Sequence, residues 1–178
     1  MENAPNLVLE ILEDGPVGVI VDGPNPLETT GPIMSQEGDQ LDEQTWNQLY
    51  RAAMQARENA WAPYSKFHVG AALLLPDGDI VTGCNVENAT YGATVCAERT
   101  AVGCAVAEGH REFSAICIIT DLDEPAAPCG ICRQLLAEFC DDLPILLANP
   151  DGERVQVTLS ELLPRRFSGR DFAENYEE

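Results

Sequence analysis

The alternation of apolar and polar residues changes its period several times between residues 41 and 163, and each change predicts a new element. Asp42 is the predicted N-cap of a first helix, because an Asp before a helical pattern satisfies free backbone N–H groups. The pattern continues to Ala60, and Pro63 is predicted to end the helix. The packing face is predicted to carry Trp46, Leu49, Tyr50 and Ala53.

The lengths and flanking turns of the later apolar runs assign them as strands or helices. The predicted strands cover residues 67–75, 80–85, 113–120, 144–148 and 154–157, and the predicted helices cover 96–108, 129–139 and a short segment from Thr158 to Pro164. Thr158 and Glu161 match a capping box. The middle of the chain alternates strand and helix, which indicates parallel neighbouring strands joined by right-handed crossovers. The predicted fold is therefore α/β, a three-layer α/β/α sandwich with a mixed five-stranded sheet.

Residues 1–40 differ from the rest, because they contain acids, glycines and prolines but no Lys or Arg. Apolar runs at residues 7–12 and 17–21 flank Asp14 and Gly15, which is typical of a β-hairpin. A partly disordered tail fits the same composition, and the prolines of residues 23–40 favour it there. We expect an acidic N-terminal extension over residues 1–40 and one folded domain over residues 41–178.

The net charge of −20 over 178 residues makes the chain strongly acidic. Binding to long polyanions relies on Lys and Arg contacts to phosphates, so nucleic acid is disfavoured as a partner. No apolar run reaches the ~18 residues of a membrane span, and no Lys or Arg precedes Arg51, so neither a membrane segment nor a leader peptide is expected. Seven cysteines, an odd number with one Cys-x-x-Cys pair, favour metal binding or reduced thiols in a cytoplasmic protein.

Three cysteines in two short clusters, Cys96 and the pair Cys129 and Cys132, have the composition of a zinc site. Four thiolates would close the shell of a structural zinc, whereas three leave one position open for water. Glu98 follows the first thiol by two residues, where its carboxylate can take a proton from that water. Arg99 is expected to compensate the negative charge of three thiolates on Zn²⁺. Two alternatives remain from spacing alone: half of a structural zinc site, or a redox-active cysteine pair.

The remaining cysteines lie on apolar stretches and are expected to be buried, reduced thiols. They are Cys84, Cys104, Cys117 and Cys140. His68 lies beside Phe67 but on the opposite face of its predicted strand, so a structural role is expected for the imidazole.

The sequence around the two thiol clusters resembles the zinc nucleoside and nucleobase deaminases, in which three zinc ligands and a non-ligand Glu form the active site. The resemblance to cytidine deaminases rests on four stretches: residues 62–72 (APYSKFHVGAA), 83–89 (GCNVENA), 96–101 (CAERTA) and 128–134 (PCGICRQ). Three cysteine ligands resemble the short-chain, homotetrameric branch of this family. The resemblance implies a cytidine deaminase-like catalytic domain over residues 41–178, with one Zn²⁺ per subunit.

The resemblance also implies roles for residues outside the metal cluster. Phe67 is expected to pack against the pyrimidine ring, and Asn85 and Glu87 are expected to hydrogen-bond the ribose. The backbone of Ala97 and Cys129 is expected to bind the carbonyl and amino edge of the base. Because Glu87 would repel a 5′-phosphate, a free nucleoside is favoured over a nucleotide.

The implied reaction is hydrolytic deamination of cytidine and 2′-deoxycytidine to uridine and 2′-deoxyuridine, with release of ammonia, as a step of pyrimidine salvage. In the family's tetramers a neighbouring subunit completes the pocket, and Phe167 and Tyr91 lie at positions that contribute to it. Three other functions remain open: deamination of a modified nucleoside such as a blasticidin-type antibiotic, editing of nucleic acid, and a non-catalytic zinc interaction module. Glu98 argues against the last of these, and the acidic balance argues against editing.

Overall fold

The first helix, α1, covers Glu43–Arg57 in a computed structural model that describes residues 41–168. The Asp42 carboxylate caps α1 by accepting a hydrogen bond from the Thr45 N–H at 2.6 Å, which confirms the predicted N-cap. On the predicted packing face Trp46, Leu49 and Ala53 are buried, and Tyr50 is half-buried. The predicted extension and hairpin over residues 1–40 lie outside the described residues.

The predicted end of α1 at Pro63 is wrong, because the helix ends at Arg57. The chain leaves the helix to pair through Trp61 with a distant segment. The Trp61 N–H donates to the Asn85 carbonyl at 3.0 Å, and the Trp61 carbonyl accepts from the Glu87 N–H at 2.8 Å. Because of this tertiary pairing, residues 58–62 are not helical, although the spacing of their side chains fits a helix.

Five strands form one mixed sheet in the order β2-β1-β3-β4-β5. The strands are β1 (Val69–Leu74), β2 (Ile80–Cys84), β3 (Ala115–Thr120), β4 (Pro144–Ala148) and β5 (Arg154–Thr158). β1 pairs antiparallel with both β2 and β3, β3 pairs parallel with β4, and β4 pairs antiparallel with β5. The predicted parallel neighbours are therefore confirmed for β3 and β4 and wrong for β2 and β3. The strand β1 lies between those two because all its residues are buried, whereas β2 is partly exposed and suits an edge.

Helices cover both faces of the sheet, which confirms the three-layer α/β/α architecture. The remaining α-helices are α2 (Ala97–Ala107), α3 (Gly130–Phe139) and the short α4 (Leu159–Leu162). Alternate residues of a strand point to opposite faces. On β3, Ile116 and Ile118 accordingly share a core with residues of α2 and α3, whereas Ile119 shares a second core with α1.

The predicted capping box of α4 is present, since the Thr158 N–H donates to the Glu161 carboxylate at 2.7 Å and the Thr158 hydroxyl accepts from the Glu161 N–H at 3.3 Å. None of the helices among residues 41–168 is long and apolar enough to cross a membrane.

Two of the helices approach the sheet closely at glycines. A Cβ at Gly70 would lie 2.0 Å from the Ala53 carbonyl oxygen of α1, and a Cβ at Gly83 would lie 2.4 Å from the Ala101 nitrogen of α2.

β2 and β3 run in the same direction, and α2 and α3 each return across the sheet from one of them. Both helices therefore begin near the carboxyl ends of β2 and β3. In open α/β sheets, ligands bind beside the carboxyl ends of the strands.

Candidate metal centre

The three predicted zinc ligands lie together, with their sulfur atoms within 4.8 Å of one another. The Cys96 and Cys129 sulfurs are 3.9 Å apart, and the Cys129 and Cys132 sulfurs are 3.5 Å apart. A tetrahedral zinc with Zn–S bonds of about 2.3 Å requires sulfur separations of roughly 3.8 Å. The donor set and its spacing therefore fit a zinc ion with one remaining tetrahedral position.

Helix termini hold these thiols. Cys96 is the N-cap of α2, Cys129 is the N-cap of α3, and Cys132 lies in the first turn of α3. Neither N-cap side chain accepts a capping hydrogen bond, so both sulfurs remain available to a metal. The first N–H groups of a helix have no intrahelical partner and carry partial positive charge, which favours thiolate over thiol.

The electrostatics of the cluster favour the ionisation of Cys96 and oppose the ionisation of Cys132. A hydrogen bond from the Cys132 thiol lowers the pKa of Cys96 to about 6, with a smaller contribution from the Arg99 charge, against opposition from burial and Glu98. The pKa of Cys132 is raised, first by its hydrogen bond with Cys96 and then by burial. A divalent cation would offset the repulsion among three thiolates, so the cluster is suited to a metal.

Glu98 lies in the first turn of α2 and is only 4% exposed. Burial raises the pKa of its carboxyl, and a hydrogen bond with Cys132 opposes that rise. A buried carboxyl with a raised pKa, beside a cluster of thiols suited to a metal, has the properties of a proton carrier. Arg99, the next residue, donates to the Thr94 carbonyl at 3.4 Å.

Hydrogen bonds to three residues hold the loop between β3 and the second thiol cluster in place. The Asp121 carboxylate accepts from Arg57 Nε at 2.6 Å and from the His68 N–H at 2.8 Å. The His68 imidazole Nδ1 lies 3.1 Å from the same carboxylate, which agrees with the predicted structural role. The Asp123 carbonyl accepts from the buried Asn149 amide at 2.5 Å. Arg133 Nε donates to the carbonyl of Pro128, the residue before Cys129, at 2.7 Å.

The predicted ribose ligand Glu87 also fixes the segment that carries Phe67. Its carboxylate accepts from the Tyr64 N–H at 2.9 Å, from the Ser65 N–H at 3.2 Å and from the Ser65 hydroxyl. The Ser65 hydroxyl hydrogen bond is the largest cause that lowers the pKa of Glu87. Ser65 Oγ in turn accepts from the Phe67 N–H at 3.0 Å.

Asn85 holds the start of β1 in the same way. Its Oδ1 accepts from the Val69 N–H and its Nδ2 donates to the Phe67 carbonyl, both at 2.8 Å. A side-chain amide has two N–H donors, so Asn85 can still donate one hydrogen bond to a ligand.

Three further residues were predicted to contribute to the site: Tyr91, Ala97 and Phe167. Tyr91 is 81% exposed and shares a surface cleft of about 290 Å³ with Tyr64, Ser65, Glu87, Asn88 and Thr94. Ala97 is buried as the first residue of α2. Phe167 is 66% exposed and lies beside α3, where the Gln134 side-chain amide donates to its carbonyl at 2.7 Å and accepts from its N–H at 3.2 Å.

Sequence reasoning gave no role to three residues that position this site: Ser65, Arg133 and Gln134. Arg133 and Gln134 follow Cys132, but they bind backbone groups, and the carbonyl of Leu162 and the backbone of Phe167 are about thirty residues away, so spacing alone carries no signal for them. The expectation that all four remaining cysteines are buried is also wrong. Cys117 and Cys140 are buried, whereas Cys84 is half-buried on the edge strand and Cys104 is exposed on α2.

Residues 43–146 match the family model described as "Cytidine and deoxycytidylate deaminase zinc-binding region". The centre is therefore that of a zinc-dependent hydrolytic deaminase. The chain belongs to this cytidine and deoxycytidylate deaminase family, which confirms the resemblance read from its motifs.

Individual relatives agree. A cytidine deaminase from Halalkalibacterium halodurans is 50% identical over 124 residues, which cover 69% of this chain and 94% of that protein. The crystal structure of cytidine deaminase from Burkholderia pseudomallei superposes with a TM-score of 0.66 at 47% identity, over 68% of this chain and 98% of that one. A blasticidin-S deaminase from Bacillus cereus is 32% identical over 112 residues, which cover 58% of this chain and 79% of that protein.

Proposed function

We propose that the protein deaminates cytidine and 2′-deoxycytidine hydrolytically, giving uridine, 2′-deoxyuridine and ammonia, as a step of pyrimidine salvage. The observation that carries the proposal is the position of Glu98: a buried carboxyl with a raised pKa, two residues after Cys96, beside a cluster of three thiols that leaves one zinc position open. A structural zinc site would need neither the open position nor the carboxyl. The identity of 50% to the cytidine deaminase from Halalkalibacterium halodurans, against 32% to the blasticidin-S deaminase, favours the natural nucleosides.

Cys96, Cys129 and Cys132 would hold the zinc ion. When bound there, zinc supplies a Lewis acid that lowers the pKa of a water molecule to about 7. Glu98 takes up the proton that this water gives up, since its buried surroundings favour the neutral carboxyl. It passes this proton to the ring nitrogen, then takes up the proton of the new hydroxyl at C4 and passes it to the amino group. Overall, water adds at C4 of cytosine, the bond from C4 to the amino nitrogen breaks, and ammonia leaves.

The remaining site residues bind and orient the nucleoside in this proposal. Phe67 packs against the pyrimidine, the free N–H of Asn85 and the Glu87 carboxylate bind the ribose, and the first N–H groups of the two zinc-bearing helices, at Ala97 and Cys129, bind the base. The hydrogen bonds that keep the pKa of Glu87 low support this role. An ionised carboxylate beside the sugar accepts from hydroxyls and repels a phosphate.

We further propose a homotetramer in the cytoplasm, with pockets completed by Phe167 and Tyr91 of neighbouring subunits. Large exposed apolar side chains support an interface: Trp61 is 61% exposed and Ile131 66%, in addition to Tyr91 and Phe167. All seven cysteines are free thiols, as a reducing compartment would keep them.

Subunit mixing tests the composite pocket. Glu98→Gln and Phe167→Ala proteins, each impaired alone, are mixed and reassembled, and activity above both parents is expected because some pockets then combine two intact halves. Activity that stays at the mean of the parents would contradict a shared pocket. Light scattering on the wild-type protein reports the mass of the assembly.

A substrate panel tests the function. The zinc-loaded protein is given cytidine, 2′-deoxycytidine, cytidine 5′-monophosphate, a cytosine-containing oligonucleotide and blasticidin S, and ammonia release is measured for each. Turnover of the two nucleosides well above the other three is expected. Preference for blasticidin S would favour the antibiotic deaminase instead, and no ammonia from any of them would overturn the proposal.

A further inference from the structure

Thr120, the last residue of β3, carries a buried hydroxyl that the proposed mechanism does not use. The residue is 4% exposed, and within the described part of the chain its Oγ1 has no hydrogen-bond partner. It is the one buried side-chain N or O atom among residues 41–168 in this condition. An unpaired buried hydroxyl is costly, so such groups in native proteins are usually satisfied by water or a ligand.

Strand geometry shows which face of the sheet this hydroxyl occupies. Thr120 follows Ile116 and Ile118 at intervals of two residues, and both of those pack in the core shared with α2 and α3. Its partner across the ladder, Val69, belongs to the same core. The Thr120 side chain is therefore on the face that α2 and α3 cover, opposite to α1.

Chain direction shows which end of that face it occupies. Thr120 ends β3, at the sheet edge where α2 begins with Cys96 as its N-cap and α3 begins with Cys129 as its N-cap. Glu98 and Phe67 contribute to the same region, one from the first turn of α2 and one from the segment entering β1. The hydroxyl thus lies on the face of the sheet, and at the end of it, where α2 and α3 begin with the thiols.

The side chain of Asn149, the residue directly after β4, does not hydrogen-bond the Thr120 hydroxyl. The pairing of Ile119 with Ala148 places Asn149 next to Thr120 in the extended register. Asn149 instead uses its Oδ1 for the Glu153 N–H at 2.9 Å and its Nδ2 for the Asp123 carbonyl at 2.5 Å. Among the described residues the hydroxyl of Thr120 therefore has no protein partner.

We propose that Thr120 Oγ1 is a further binding group of the deaminase pocket, where it hydrogen-bonds a small neutral group: either a confined water molecule or the amino group of the bound cytosine. The inference rests on the proposed function. A hydroxyl suits both occupants because it can donate and accept. Its place at the end of β3, from which the chain leads to the second thiol cluster, assigns it to the base end of the pocket.

Four proteins test this: the wild type, Thr120→Val, Thr120→Ser and Thr120→Ala. Val replaces the hydroxyl by a methyl of similar size. Ser and Ala share a smaller volume and differ only in the hydroxyl, so they decide the question if Thr120→Val folds poorly. Zinc content and thermal unfolding are measured for each, so that kcat/KM is compared only among folded, zinc-loaded proteins.

The expected kinetic result is a fall in kcat/KM for cytidine of about 3- to 10-fold in Thr120→Val, and in Thr120→Ala relative to Thr120→Ser, the size of one neutral hydrogen bond. Uridine binding, measured by calorimetry, separates the two occupants. It weakens by a similar factor if the partner is a water molecule retained with either nucleoside, and it is unchanged if the partner is the amino group, which uridine lacks.

The inference is overturned if all four proteins have full zinc and equal kcat/KM for cytidine. Its failure is distinct from failure of the proposed function, because in the latter case the wild-type protein itself releases no ammonia from cytidine.

Discussion

The side chain of Gln134 and the backbone of Phe167 exchange two hydrogen bonds, at 2.7 Å from the amide to the carbonyl and at 3.2 Å from the N–H to the side-chain oxygen. Gln134 stands two residues after the proposed zinc ligand Cys132, so the helix that carries two of the three thiols also holds the backbone of Phe167, whose exposed ring is proposed to close a neighbouring pocket.

The first prediction concerns this connection. Gln134→Ala is expected to raise KM for cytidine by about 3- to 10-fold with little change in zinc content, because the Phe167 backbone loses the two hydrogen bonds that hold it in place. Glu138→Ala, an exposed change one turn later on α3, is the matched control and should leave KM unchanged. In a double-mutant cycle Gln134→Ala should add little to Phe167→Ala. Fully additive effects on KM would show that Gln134 does not act through Phe167.

The second prediction concerns Asp121 and pH. Burial alone would raise the pKa of Asp121, but hydrogen bonds from the His68 N–H and from Arg57 outweigh it, so the pKa is lowered. A lowered pKa in the folded state contributes stability above the unfolded value of about 3.9, and that stability is lost as the pH falls through the folded value. Asp121→Asn should cost about 1–3 kcal/mol in unfolding free energy at pH 7, and the cost should shrink below pH ~4.

Urea unfolding from pH 7 to pH 3 measures this difference. The His68 ring also contacts Asp121 at 3.1 Å, so both proteins carry His68→Gln to remove the contribution of the imidazole. A stability difference that stays constant down to pH 3 would refute the assignment to the Asp121 carboxylate.

The third prediction concerns the contact between β2 and α2. A Cβ at Gly83 would lie 2.5 Å from the Ala97 carbonyl as well as close to Ala101, both backbone of α2. Gly83→Ala should therefore destabilise the protein by about 1–3 kcal/mol and weaken zinc binding, since α2 carries Cys96 and must move.

The matched control is Gly103→Ala, on α2 itself, where a new Cβ meets nothing within 4 Å among the described residues. An added methyl inside a helix should raise stability by up to about 1 kcal/mol and leave zinc binding unchanged. Equal zinc affinity in Gly83→Ala and the wild type would contradict the close fit of α2 on β2.

The sequence carried enough information for the local features of the fold. The Asp42 N-cap, the Thr158–Glu161 capping box and the starts of α2 and α3 depend on neighbours within a few residues. The end of α1 depends on the pairing of Trp61 with the segment from Asn85 to Glu87, which no local pattern encodes. The place of β1 between β2 and β3 is likewise a tertiary result.

The candidate site divides in the same way. Cys96, Glu98, Cys129 and Cys132 were predicted because zinc chemistry restricts residue types and spacing, and the structure brings these side chains together. The hydrogen bonds of Asn85 and Glu87 to the segment that carries Phe67 join positions about twenty residues apart. A single sequence does not reveal that the proposed sugar ligands also hold the aromatic residue in place.

The most direct test of the account is the rate of ammonia release from cytidine by zinc-loaded Glu98→Gln protein, compared with the wild type at equal zinc content. Gln keeps the size of the side chain but cannot carry the proton, so a loss of about 10²- to 10⁴-fold is expected. A rate close to that of the wild type, with one zinc bound per chain, would contradict the assignment of proton transfer to Glu98.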